Sequence, residues 1–165
     1  MDANSLRAVQ APLKQSYREE PDRALVTLRA RARLDSAGVS CRVDTGRAIA
    51  EAGLHPATGG DGSQLCSGDM LLEALAACAG VTLRAVATAL EIDIRDGTVH
   101  AEGELDFRGT LGVDREVPVG FQRIRLSFEL DTDADGERLA TLLTLTERYC
   151  VVLQTLRGGP DITVS

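Results

Sequence analysis

Ser67-Gly68-Asp69-Met70-Leu71-Leu72-Glu73-Ala74-Leu75-Ala76-Ala77-Cys78, continued through Ala79-Gly80 to Leu90, decides how this chain is read. Between Met70 and Leu90 only Glu73 and Arg84 are charged, so apolar residues point in nearly every direction around a 3.6-residue turn. The stretch reads as a long central helix buried on several sides. Ser67 stands where a cap belongs, and Asp69 meets the positive end of the helix dipole. Gly80 costs about 1 kcal/mol relative to Ala inside a helix, which a close helix contact would explain. The length suits a bilayer span, but two charges, several Ala and two Thr make the hydropathy poor for one.

Strands flank this helix. Val26 to Leu34 alternates apolar residues with Thr27, Arg29, Arg31 and Arg33. Asp35-Ser36-Ala37-Gly38 reads as a turn, and Val39, Cys41 and Val43 alternate with Ser40 and Arg42. The pair predicts a hairpin with one wet face. A short strand is expected at Arg47–Ala50, followed by a Gly-rich loop from Gly53 to Ser67. After the helix, Val99, Ala101, Gly103, Leu105 and Phe107 alternate with His100, Glu102, Glu104, Asp106 and Arg108. Ile124, Leu126, Phe128 and Leu130 do the same against Arg123, Arg125, Ser127 and Glu129.

A second helix is expected from about Asp135 to Leu156, with Leu139, Leu142, Leu143, Thr146, Cys150 and Leu153 on one face. Asp133 or Asp135 caps its start, and Gly158-Gly159-Pro160 ends it. Ile162 and Val164 suggest a last short strand. At the other end, Leu6, Val9, Leu13 and Tyr17 have helical spacing that Pro12 interrupts, predicting a short or broken arm packed on a partner subunit or frayed. Strands and helices do not alternate strictly. The expected class is α+β, with helices on one face of a largely antiparallel sheet.

The whole chain of 165 residues fits one domain. It is 44% hydrophobic and only 3% aromatic, without Trp, so the core must be Leu, Val, Ile and Ala. Eighteen basic against 25 acidic residues give a net charge of -7, which argues against nucleic acid or an anionic membrane as partner. No basic and apolar leader opens the sequence, so a cytoplasmic location is expected.

The chemistry lies in the cysteines at 41, 66, 78 and 150. No pair has CxxC spacing, and His55 and His100 form no metal set with them. Taken singly, Cys78 and Cys150 read as small hydrophobes on helix faces. Together they sit on the inner faces of two helices, where the thiols could meet if the helices pack. Cys41 reads as core packing. Cys66 precedes the central helix, either as a thiolate held by the dipole or as a packed loop residue. His100 reads as solvated; His55, in the long loop, could approach a site. No Ser/His/Asp arrangement, phosphate loop or dinucleotide fingerprint is present.

The stretch Ser67–Cys78 resembles the start of the central helix in the OsmC and organic hydroperoxide resistance family, which reads roughly small-Pro-x-Glu-Leu-Leu-x-Ala-x-Ala-x-Cys. Glu147-Arg148-Tyr149-Cys150-Val151-Val152-Leu153-Gln154-Thr155-Leu156 resembles its second motif, usually Tyr-Cys-Pro-Val-Ser followed by a short apolar stretch. The resemblance implies an OsmC-like domain over residues 24–165 behind an arm of residues 1–23, as an intertwined homodimer. It implies a thiol peroxidase without metal or other cofactor, acting on organic hydroperoxides. Cys78 is then the peroxidatic and Cys150 the resolving residue, with an external dithiol as reductant. It also implies a thiolate-activating carboxylate, matched by Asp69, and an arginine of the first hairpin, best matched by Arg33, with Arg29, Arg31 and Arg42 close behind. Val151 stands where the family has Pro, so the second helix need not kink there, and Leu153 replaces a polar residue. Two readings stay open beside this one. The first is a non-catalytic member that binds an apolar small molecule in the dimer-interface pocket. The second is an unrelated α+β domain with incidental cysteines.

Overall fold

The computed structural model describes residues 3–34, 41–43 and 53–164. Helix α1 (Ala3–Glu19) and a 3-10 turn (Pro21–Ala24) lead into β1 (Leu25–Leu34) and β2 (Cys41–Val43). Helix α2 (Ser67–Ala89) precedes β3 (Asp96–Asp106), the single turn α3 (Phe107–Thr110) and β4 (Arg123–Asp131). Helices α4 (Gly136–Tyr149) and α5 (Val151–Gly158) complete the order. The strands form one sheet in the order β2-β1-β3-β4. β1 and β2 are antiparallel, with Ala32 opposite Val43 and Leu34 opposite Cys41. β3 and β4 run antiparallel too: Gln122 N–H reaches the Glu104 carbonyl at one end, and Arg95 N–H the Asp131 carbonyl at the other, both at 2.9 Å. The α+β expectation and the antiparallel sheet hold. The turn at 35–38 and the strand expected at 47–50 lie outside the described residues.

The chain divides into two compact units. The first comprises Met1–Arg29, Thr45–Leu72 and Glu102–Arg125. Here α1 runs unbroken through Pro12, correcting the expected broken or frayed arm. Proline removes one helical hydrogen bond, but side chains on both sides of it tie the helix down. Buried Tyr17 donates its hydroxyl to the Ala57 carbonyl at 2.7 Å, and Gln10 Nε2 donates to the Thr58 carbonyl at 3.3 Å. Gly59 has φ +97°, and a Cβ there would lie 2.3 Å from Val9 Cγ1, so only glycine lets the loop pass under α1. At the end of β3, Asp106 is 1% exposed and bound to Arg108, Nη2 to Oδ2, at 2.5 Å. Its Oδ1 also accepts the Arg108 N–H at 3.0 Å, capping α3.

The second unit comprises Ala30–Asp44, Glu73–Ala101 and Leu126–Ser165. Its core is one stripe of α2, Leu75, Ala76, Ala79, Leu83 and Ala87, together with Val99 and Ala101 of β3 and Leu142, Thr146 and Cys150. The opposite stripe of α2, with Met70, Ala74, Val81 and Ala85, is exposed. The helix is therefore buried on one side within this chain, not on several. Its best 18-residue window has a mean hydropathy of 1.6, long and apolar enough to cross a membrane by length and composition, and 39% of that window is buried. That hydropathy is higher than the sequence reading allowed. Arg84 is buried and donates to the Ile94 carbonyl at 2.8 Å. Arg138 Nη2 donates to the carbonyls of Leu90 and Glu91 at 3.0 Å each, tying α4 to the turn after α2.

Two further expectations are corrected in this unit. The second helix is not continuous: it stops at Tyr149 and restarts at Val151, with Cys150 extended between them at φ -71° and ψ 104°. No strand forms at Ile162 and Val164, which are exposed and pair with no strand among the described residues. Asp135 caps α4 as expected, accepting the Arg138 N–H at 2.8 Å.

Arg108 holds the Asp106 carboxyl below the ordinary carboxylate range. The pair therefore stabilises the fold above the unfolded aspartate value near pH 4, and that contribution is lost as pH falls through the lower folded value. Asp106→Asn is expected to cost about 1–3 kcal/mol at pH 7 in urea unfolding. The difference from the parent should shrink toward zero as the pH drops into that acid range; a constant difference would contradict the account.

Candidate active site

Cys78 comes from the middle of α2, and Cys150 from the break between α4 and α5. Both thiols are free of disulfides. Cys150 is fully buried and Cys78 half-buried. The break has a direct consequence for the backbone. The first hydrogen bond inside α5 is Gln154 N–H to the Cys150 carbonyl at 2.9 Å. The N–H groups of the first turn of a helix have no partner within it, so those of Val151 and Val152 are available to something else. That something is the Cys78 sulfur.

Burial alone pushes the Cys78 thiol up. Against it act hydrogen bonds donated by the Val152 N–H, the Cys150 thiol, the Thr82 hydroxyl and the Val151 N–H, and together they bring it below its ordinary value. Cys150 moves the other way, to about 11, through burial and through the charge of Cys78 beside it. The two thiols are therefore unequal acids: Cys78 is the first to ionise as pH rises, and Cys150 the one that holds its proton. A thiol whose anion would face helix N–H groups and a neighbouring S–H is the better placed of the two to act as a nucleophile. Tyr149 and Val151, on either side of Cys150, line an open groove of about 520 Å³ with Arg148, Gln154 and Thr155.

The other expected site residues have different partners. Asp69 lies nine residues before Cys78, about two and a half turns along α2. It faces His55. Burial raises the Asp69 carboxyl and His55 opposes that, while burial lowers the His55 imidazole and Asp69 opposes that. His55 Nδ1 accepts the Ala57 N–H at 3.0 Å, and its ring stacks on Phe107 at 5.0 Å. Arg33 is exposed, with its guanidinium 3.6 Å from Asp96. The side chains of Arg29, Cys41 and Arg42 lie outside the described residues, and Arg31 has a partner of its own. His100, expected to be solvated, is half-buried with Nε2 3.5 Å from Glu129.

Cys66, read in the sequence as a loop thiol or a dipole-held one, caps α2 in place of Ser67. Its carbonyl accepts the Met70 N–H at 3.1 Å and its Sγ the Gly68 N–H at 3.4 Å. With His55 and the apolar side chains Leu71, Leu105, Phe107 and Phe121, it lines a cavity of about 370 Å³. No group of three or more His, Cys, Asp or Glu residues placed to hold a metal occurs among the described residues.

A family model described as OsmC-like protein matches residues 60–165, which carry α2 to α5 with Cys78 and Cys150. The chain belongs to the OsmC-like family. Its fold is similar to the crystal structure of an OsmC-like hydroperoxide resistance protein from Jannaschia sp. CCS1, at a TM-score of 0.60 and 16% identity over 86% of this chain and 91% of that one. No curated protein matches this OsmC-like chain.

The Cys150 thiol can be removed without removing the helix donors. Cys150→Ala is expected to move the midpoint of Cys78 alkylation upward by roughly half to one pH unit, because one donor to the anion is lost. Cys150→Ser keeps an O–H donor and should move it less. Peptide-mapped alkylation across pH reads both; equal midpoints in all three proteins would contradict the donor role of Cys150.

Proposed function

We propose that the chain is a thiol peroxidase that reduces organic hydroperoxides, with Cys78 as the peroxidatic and Cys150 as the resolving residue. The observation that carries this reading is the unequal thiol pair: Cys78 in α2 is the more acidic sulfur, and the buried Cys150 beside it, in the break between α4 and α5, the less acidic. The Cys78 thiolate attacks the outer peroxide oxygen. An S–O bond forms and the O–O bond breaks; two electrons pass from sulfur to the leaving alkoxide, which takes a proton and departs as the alcohol. Cys150 then attacks the sulfenic sulfur. The S–S bond forms, the S–O bond breaks, and hydroxide leaves as water with the proton that Cys150 gave up. An external dithiol returns the pair to two thiols.

Apolar flanks favour organic over inorganic peroxide. Tyr149 is 56% and Val151 70% exposed beside Cys150, so the groove offers apolar surface to a hydrocarbon tail. For Asp69 and Arg33 as activating groups, the support is the family resemblance; within this chain their charges meet His55 and Asp96. The exposed stripe of α2, apolar from Met70 to Ala85, is the face we assign to a second copy of the chain in a homodimer. A cytoplasmic location fits the dependence of the cycle on a reducing dithiol.

Titration of reduced protein with an organic hydroperoxide, followed by intact mass and peptide mapping, tests the reading. One equivalent should yield a Cys78–Cys150 disulfide in a protein that sediments as a dimer. Cys150→Ser should instead accumulate sulfenic acid at Cys78, and Cys78→Ser should consume no peroxide. Unmodified thiols under the same titration would leave the binding of an apolar small molecule as the better account.

A further inference from the structure

The break at Cys150 is spanned by side chains that no motif of the sequence names. In an uninterrupted helix the Val151 N–H would bond the Glu147 carbonyl, four residues back. That carbonyl is occupied: Gln154 Nε2 donates to it at 2.7 Å. A second tie, Arg157 Nη1 to Glu147 Oε2 at 2.9 Å, fastens α5 to the same residue. The side-chain amide thus stands in for the backbone bond that the break gives up, and the Val151 N–H is released toward the Cys78 sulfur.

We propose that Gln154 is a positioning residue for the Cys78 site: by satisfying the Glu147 carbonyl, it holds the break open and frees the Val151 N–H to donate to Cys78 Sγ. The inference rests on Cys78 being the nucleophile. The groups that face Cys78 are Cys150 from the break, Thr82 from its own helix and the two N–H groups of α5; Cys150 is the titratable one among them. Gln154 and Val151 are both exposed, so changing either leaves the core untouched.

The test is the pH midpoint of Cys78 alkylation, read by peptide mapping, in the parent and four variants. Gln154→Ala should raise the midpoint by less than Cys150→Ala does, roughly a quarter to half a pH unit, or about two- to threefold less thiolate at a fixed pH below it, because Val151 is a smaller contributor than Cys150. Val151→Pro should raise it similarly by deleting that N–H. Proline suits the site, because Cys150 already has the extended backbone that precedes proline, and Val151 is the first residue of α5. In the double variant, Gln154→Ala should add nothing, because the N–H it acts through is gone. Val151→Ala keeps the N–H and should leave the midpoint unchanged.

A midpoint unmoved by Gln154→Ala, or moved equally in the Val151→Pro background, overturns the proposal. Should Val151→Pro not fold, the Val151 amide proton carries the test. Its chemical shift should follow the Cys78 titration in the parent and lose that step in Gln154→Ala; retention of the step overturns the proposal. Hydroperoxide consumption is measured on the same proteins. If the parent consumes none while the midpoints move as expected, the peroxidase reading falls and the positioning role stands.

Discussion

A thiol on an apolar helix ionises readily only where the lost hydration of its anion is replaced, and the α4–α5 break is where this chain replaces it. Without the break, the N–H groups of Val151 and Val152 would bond carbonyls of the preceding turn, and the Thr82 hydroxyl of its own helix would be left to oppose the burial that raises Cys78. With the break, two backbone donors and one S–H meet the same sulfur. The same geometry buries Cys150 completely and sets it beside a negative charge, so that its own proton is held more tightly. One local departure from helical geometry thus makes two cysteines chemically unlike.

The features legible in the sequence are those set by periodicity. The alternation in Val99–Phe107 and Ile124–Leu130 became β3 and β4, with the apolar side of β3 buried and its polar side carrying Glu102 and Glu104 toward Arg125. The apolar run from Met70 became α2, although the pattern could not say that one of its stripes would be left exposed within a single chain. Cys78 and Cys150 were singled out because each belongs to a motif and each was read onto the inner face of a helix; Cys150 instead occupies the break between two helices.

What escaped the sequence reading depends on contacts distant in the chain or on single side chains. The break at Cys150 was not expected, because the absence of proline at 151 removes the usual signal for it; a glutamine amide three residues later spans it instead. Cys66 capping α2 was hidden by Ser67, a better cap by type but one residue too late. The persistence of α1 through Pro12 depends on Tyr17 and Gln10 reaching a loop some 40 residues away. Asp69 and Arg33 were chosen by charge and position, and charge also pairs them with His55 and Asp96, which are far from them in sequence.

The central claim is the order in which the two thiols lose their protons, and carbon-13 labelling at the cysteine Cβ reads each sulfur separately by NMR. Across an alkaline titration of the reduced protein, the Cys78 resonance should move first, at a pH below that of an ordinary thiol. The Cys150 resonance should hold until the pH approaches about 11. The reverse order, or two midpoints together at the value of an ordinary cysteine, would contradict the account.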